Sequence, residues 1–201
     1  FFNHGQCCCA GSRLYIEKTI FDKVVEGVSD HAGKIKVGPG WEESTDMGPL
    51  VSEEQMNRVC GYLESGFAEG AKATVGGQRN GDKGYFVNPT VLVDTTENMK
   101  VVQEEIFGPV VTAIPFSDPE EMMVKANDSM YGLAAGIWTK DISKAHRMAA
   151  QLRAGTVWVN CYNVFDAAMP FGGYKQSGWG RDMGHDALEN YTETKSVCTA
   201  I

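Results

Sequence analysis

Apolar and polar positions change period several times along the chain, and each change marks an element. Ser12-Arg13-Leu14-Tyr15-Ile16 is rich in β-formers and reads as a short strand. Thr19 followed three residues on by Asp22 resembles a capped helix start. Ile20, Val24, Val25, Val28, Ala32 and Ile35 then recur at helical spacing. Lys36 to Leu50 holds three glycines and two prolines and is expected to be a loop. Ser52-Glu53-Glu54-Gln55 has the capping-box pattern and opens a second helix through Met56, Val59, Leu63 and Phe67, ending near Gly70. The stretch from Gly76 to Gly84 is turn-rich. Val87 to Val93 reads as extended, and Pro89 within it suits an edge strand.

Beyond this point the rhythm is regular. Val110-Val111-Thr112-Ala113-Ile114 is a continuous apolar run of the kind that lies buried on both faces of a sheet. Asp118-Pro119-Glu120-Glu121 starts a helix, with an Asp cap and Pro in the first position. Ala134 to Trp138 is the next strand. Asp141 caps a helix bearing Ile142, Ala145, Met148, Ala149 and Leu152, and Thr156 to Val159 is another strand. This alternation predicts an α/β fold, mostly parallel, with helices on both faces of the sheet. Asn160 to Arg181 is a long connection with four glycines and five aromatics, expected to be functional. Asp186 to Tyr191 reads as a short helix, and Thr192 to Ile201 as a final extended strand able to pair with another chain.

Composition narrows the function. With 201 residues, 43% hydrophobic and 22% charged, the chain can bury a core. A formal net charge of −8 argues against a nucleic-acid footprint. No apolar run approaches bilayer length, so no membrane association is expected, and no signal segment is visible. The start at Phe1-Phe2, without Met, reads as a cut from a longer protein. Of six cysteines, Cys7, Cys8 and Cys9 are adjacent, while Cys60, Cys161 and Cys198 stand alone, with Cys60 expected to be a buried structural thiol. Such spacing suits neither a disulfide framework nor a structural metal site; no metal is expected, and a reducing, cytoplasmic setting is.

Three thiols behind a glycine suggest a nucleophile, because a thiolate is the most reactive common side-chain nucleophile. Order alone does not choose among the three. The run Phe1-Phe2-Asn3-His4-Gly5-Gln6-Cys7-Cys8-Cys9-Ala10-Gly11-Ser12-Arg13 resembles the active-site segment of NAD(P)-dependent aldehyde dehydrogenases. Three later blocks resemble the same family in the same order. They are Glu104-Glu105-Ile106-Phe107-Gly108-Pro109, Gly155-Thr156-Val157-Trp158-Val159-Asn160, and Pro170-Phe171-Gly172-Gly173-Tyr174-Lys175-Gln176-Ser177-Gly178.

The resemblance implies that Cys8 is the catalytic nucleophile, forming a thiohemiacetal and then a thioester, and that Cys7 and Cys9 pack. It implies that Glu105 receives the ribose hydroxyls beside the nicotinamide of NAD or NADP and that Phe107 helps to place the ring. Read without it, Glu105 is a charge at the end of a short helix. Gln55 falls where the family sometimes contacts the cofactor, although helix-start chemistry explains it equally well. Phe165 and Phe171 match aromatic walls of the substrate entrance, with Asp166 and Asn163 beside them. The substrate implied is a small aldehyde, with the acyl group released by water rather than by CoA.

The family's dinucleotide-binding domain, general-base Glu and oxyanion Asn precede the nucleophile and are absent here. The implied organisation is a C-terminal part of the enzyme: a catalytic domain over residues 1–185 and an oligomerisation tail over 186–201, in a parent that is a dimer or tetramer. The segment alone is expected to be inactive or nearly so. Two other readings stay open. One is a thiol hydrolase or acyltransferase using Cys8, which needs an in-chain base; His4 is near in sequence, but such partners usually come from distant segments. The other is a non-catalytic fragment kept for association through its last strand. His31, His146 and His185 read as surface residues.

Overall fold

A strand buried on both faces has no polar side to show, and this is how the first sheet is built. The computed structural model describes residues 1–201, which form two compact units, Phe1–Lys125 and Ala126–Ile201. In the first unit the elements are β1 (Arg13–Glu17), α1 (Phe21–Lys34), α2 (Glu53–Ala68), β2 (Lys72–Val75), β3 (Thr90–Val93), the single turn α3 (Lys100–Gln103) and β4 (Val110–Phe116). The helix α4 (Pro119–Asn127) follows.

The strands lie in the order β1-β4-β3-β2, with β4 parallel to both β1 and β3 and with β2 antiparallel to β3. Side chains alternate between two cores. Val110 and Ile114 of β4 join Leu92, Met56, Val59 and Leu63 on the α2 side. Val111 and Ala113 join Val91, Ile16, Val25 and Ala32 on the α1 side. The apolar run of β4 therefore feeds both layers, and helices cover both faces of a mainly parallel sheet. Its one polar residue is satisfied, since the Thr112 hydroxyl donates to the Ser12 carbonyl at 3.2 Å. In β3 the buried Thr90 hydroxyl donates to the Asn88 carbonyl at 2.8 Å and accepts from Gly77 N–H at 2.9 Å.

Some expectations need correction. Thr19 does not cap α1: its hydroxyl donates to Glu17 at 3.4 Å, a 3-10 turn spans Lys18–Ile20, and Ile20 precedes the helix. β3 is an interior strand and not an edge. Pro89 is tolerated because it stands before the first paired residue, where no ladder donor is lost. The edge beside β3 is β2, whose mostly exposed Lys72-Ala73-Thr74-Val75 gave no apolar signal; β1 forms the opposite edge. At α2, Ser52 Oγ accepts from Gln55 N–H at 3.2 Å, as a cap should. The Gln55 side chain does not complete the box and reaches elsewhere.

The second unit contains β5 (Tyr131–Gly132), β6 (Ala134–Ile137), α5 (Ile142–Gln151), β7 (Thr156–Val159) and β8 (Tyr174–Lys175). β6 and β7 are parallel and joined through α5, while β5 and β8 pair antiparallel. The expected strand–helix–strand order is present, but β4 belongs to the first sheet and does not pair with β6. Asp141 caps α5, accepting from Lys144 N–H at 3.0 Å. His185–Asn190 is a 3-10 helix rather than an α-helix. Thr192–Ile201 is exposed and pairs with no strand of this chain. No helix is long and apolar enough to cross a membrane.

Leu92 is fully buried in the α2-side core. Leu92→Ala is expected to lower stability by about 2–5 kcal/mol in urea unfolding, and a loss below about 1 kcal/mol contradicts this packing. Backbone N–H groups at the start of α5 hold the Asp141 carboxyl below its usual range. A depressed folded-state value stabilises above the unfolded carboxylate range and is lost as pH falls through the folded value. Protection of the Ile142–Lys144 amides, taken relative to their intrinsic exchange rate at each pH, should therefore fall selectively on acidification, and Asp141→Ala should show that loss already at pH 7.

Candidate active site

The cysteine run follows a tightly wound segment. Asn3, His4 and Gly5 take φ values of 50°, 60° and 68°, a left-handed stretch that costs energy for the two residues bearing a Cβ. Local bonds hold it: Gln6 N–H donates to the Asn3 carbonyl at 2.9 Å, and Asn3 Nδ2 donates to the Gln6 carbonyl at 2.8 Å. Gln6 Oε1 also accepts from Val51 N–H at 3.1 Å, tying the segment to the loop before α2. Cys7 to Ala10 is a turn closed by Ala10 N–H on the Cys7 carbonyl at 2.9 Å, with Cys8 at its leading corner.

The three thiols have different environments. Cys8 is exposed, Cys7 is half-buried and Cys9 is buried. Cys7 and Cys9 sulfurs lie 3.4 Å apart, so the flanking residues meet each other and Cys8 stands clear. Burial, then the hydrogen bond with Cys7 and the neighbouring thiols, pushes the Cys9 thiol up to about 12. Cys9 is a neutral packing group at any ordinary pH. No hydrogen bond engages the backbone N–H of Cys8, which leaves it available to a developing oxyanion. His4 does not serve Cys8: its Nδ1 is buried without a partner, and its Nε2 lies against Gly48. Burial raises the half-buried Cys60 thiol, consistent with a structural group.

The Glu104–Pro109 loop is seated against the same segment. A Cβ on Gly5 would lie 2.0 Å from the Gly108 carbonyl oxygen, and one on Gly108 would lie 2.4 Å from a Val59 methyl of α2. Helix, loop and the segment before the cysteines are thus stacked at a spacing only glycine permits. In the loop, Glu104 accepts from the Tyr62 hydroxyl at 2.8 Å, whereas the exposed Glu105 carboxylate has no partner in the chain. Phe107 has φ of 55° and an exposed ring. Gln55 Nε2 donates to the Ile106 and Phe107 carbonyls at 3.2 and 2.8 Å, and Arg58 donates to the Glu105 carbonyl at 3.2 Å. The helix-start role of Gln55 accounts for its backbone only. Arg58 and Tyr62 went unrecognised in the sequence; their signal is the spacing 55, 58, 59, 62, one face of a helix.

Phe165 and Phe171 belong to the second unit. Their rings meet edge to face at 5.2 Å, and Phe165 meets the buried Trp158 in the same way at 5.5 Å. Trp158 Nε1 donates to the Val164 carbonyl at 2.8 Å and its ring packs on Tyr162 at 4.7 Å. The aromatic cluster is therefore larger than the two predicted residues. Asp166 closes a local turn by accepting from Ala168 N–H at 2.8 Å. A groove of about 440 Å³ beside Trp138, Ile142 and Asn160 includes none of the predicted site residues. His31, His146 and His185 are exposed, and no group of three or more His, Cys, Asp or Glu is placed to hold a metal ion.

Known proteins are similar to this chain in sequence and in fold. The chain is 56% identical over 196 residues to the Bacillus subtilis protein DhaS, covering 98% of this chain and 40% of the relative. It is 52% identical over 197 residues to an aldehyde dehydrogenase of Agaricus bisporus, covering 98% and 39%. The aldehyde dehydrogenase of Bacillus cereus, solved in complex with NAD+, superposes with a TM-score of 0.95 at 54% identity, over 98% of this chain and 40% of that one. The chain thus spans about two fifths of the length of these relatives. A sequence model described as Aldehyde dehydrogenase family matches residues 1–197. On this match and these identities, the chain belongs to the aldehyde dehydrogenase family.

Proposed function

We propose that the full-length protein oxidises an aldehyde to a carboxylic acid with NAD or NADP, using Cys8 as nucleophile. The observation that carries this reading is the pairing of two features in one unit. An exposed Cys8 stands at the corner of a turn, and the segment before it packs through Gly5 onto a loop whose Glu105 carboxylate is unpartnered. The loop's residues fit a ribose diol: two carboxylate oxygens can accept two vicinal hydroxyls, and Glu104 is already committed to Tyr62. Phe107 offers an exposed ring beside it.

The chemistry follows from the residues. The Cys8 thiolate attacks the carbonyl carbon, forming the C–S bond of a thiohemiacetal while the free backbone N–H faces the developing oxyanion. When bound, the nicotinamide cofactor accepts the hydride that leaves this carbon. The resulting thioester is cleaved by water, giving the acid and restoring the Cys8 thiol. Phe165 and Phe171 wall an apolar substrate entrance in this reading, supported by their shared edge-to-face contact. In this reading the base that activates Cys8 and the deacylating water belongs to the rest of the full-length protein, and His4, whose Nδ1 is buried without a partner, is not assigned that role. The 201-residue chain alone should therefore turn over little or no aldehyde.

The remaining organisation belongs to the same proposal. Residues 1–185 act as the C-terminal catalytic part of the enzyme, and 186–201 as a tail for contact between copies in a cytoplasmic dimer or tetramer. The exposed Tyr191, Val197 and Ile201 support the tail's role.

In the full-length protein, Cys8→Ser should lower kcat by at least about 10³-fold. Glu105→Gln should raise the cofactor KM by roughly tenfold or more while leaving acylation of Cys8 by a reactive ester intact. Undiminished turnover of Cys8→Ser sinks the assignment. Thiol titration gives a separate check. A raised pKa keeps the Cys9 thiol neutral to higher pH, so iodoacetamide at pH 8 should label Cys8 and spare Cys9. Equal labelling rates contradict the division of roles.

A further inference from the structure

We propose that one face of α2 is a brace that sets the position of the Glu105–Phe107 segment, with Gln55 as its central positioning residue. This rests on the reading of Glu105 and Phe107 as cofactor contacts. Residues 55, 58, 59 and 62 fall at i, i+3, i+4 and i+7 and form one stripe on the helix. Every member of the stripe touches the loop. Gln55 donates to the Ile106 and Phe107 carbonyls, Arg58 to the Glu105 carbonyl, and the Tyr62 hydroxyl to the Glu104 carboxylate. Val59 presses a methyl where Gly108 lacks a side chain. Arg58 also lies 5.7 Å over the Tyr62 ring, which ties two members of the stripe together.

The bonds go almost entirely to backbone atoms, and that defines what the brace does. Both amide hydrogens of Gln55 are used on loop carbonyls, so none is left to donate to a ligand in this arrangement. The peptide on each side of Phe107 is held, which stabilises its left-handed φ of 55°. With the backbone gripped and Glu104 occupied, the only uncommitted polar group of the segment's side chains is the Glu105 carboxylate. Preorganising that group removes the cost of ordering the loop when a ligand arrives. Gln55 is thus a positioning residue that acts through the loop.

The test uses the full-length protein and two readouts. In Gln55→Met, which keeps length but removes both donors, amide exchange across Glu104–Pro109 should accelerate roughly tenfold while exchange in β4 stays unchanged. NAD affinity should weaken by about tenfold, and the rate of Cys8 alkylation should not move. In Gln55→Glu the carboxylate faces carbonyl oxygens and cannot donate until protonated, so NAD affinity should recover as pH is lowered toward about 5. A purely structural role predicts no such recovery. Should Gln55→Met fail to fold, the exposed Arg58→Met removes one bond, with about threefold faster exchange expected. Unchanged exchange across the loop in these variants overturns the brace. Faster exchange with unchanged NAD affinity upholds the brace and overturns the ribose role of Glu105, and so separates the two ideas.

Discussion

Two missing side chains hold the candidate site together. Gly5 and Gly108 approach so closely that a single methyl on either would meet backbone or helix at about 2 Å. This contact places the nucleophile segment on the Glu105 loop and the loop on α2. The left-handed turn at Asn3–Gly5, the local bonds of Asn3 and Gln6, and the grip of Gln55 on Ile106 and Phe107 all serve to keep that stack in register. Packing of backbone on backbone transmits position with little give, since few torsions lie between the contacting atoms. The chemistry needs such stiffness, because reacting groups must be held near their productive geometry before a substrate arrives.

Around that stack, burial assigns the thiols their roles. Three cysteines of identical intrinsic chemistry are separated by a turn that exposes Cys8 and turns Cys9 inward. Desolvation then does to Cys9 what no mutation is needed to do: it removes a competing nucleophile. The sulfur contact between Cys7 and Cys9 occupies the flanking pair with each other, so proximity in sequence does not become competition in space.

Much of the fold was legible in the sequence where burial leaves a pattern. The run Val110–Ile114 reads as a doubly covered strand because both of its faces are apolar, and Ser52 and Asp141 read as caps because their oxygens serve orphan helix donors. The edge strand Lys72–Val75 was silent because it buries almost nothing. Pro89 misled because its missing donor matters only inside a ladder, and it lies just outside one. Thr192–Ile201 alternates, but a strand also needs a partner. In the candidate site, motifs singled out Cys8, Glu105 and Phe107, which the structure places at an exposed turn and on an exposed loop. Arg58 and Tyr62 were not legible, since they act on the Glu105 carbonyl and the Glu104 carboxylate more than forty positions away. A backbone carbonyl has no letter in the sequence.

The loop that carries Glu105 runs directly into β4, the strand shared by both cores of the first unit. Pro109 alone separates Gly108 from the first residue of that strand. Under the proposed role of Glu105, a ligand bound there only in the native state would stabilise the entrance of the central strand as well. Loosening deep in the core reaches the loop by the same covalent route. The loop is thereby anchored twice, at its end by the central strand and along its length by α2.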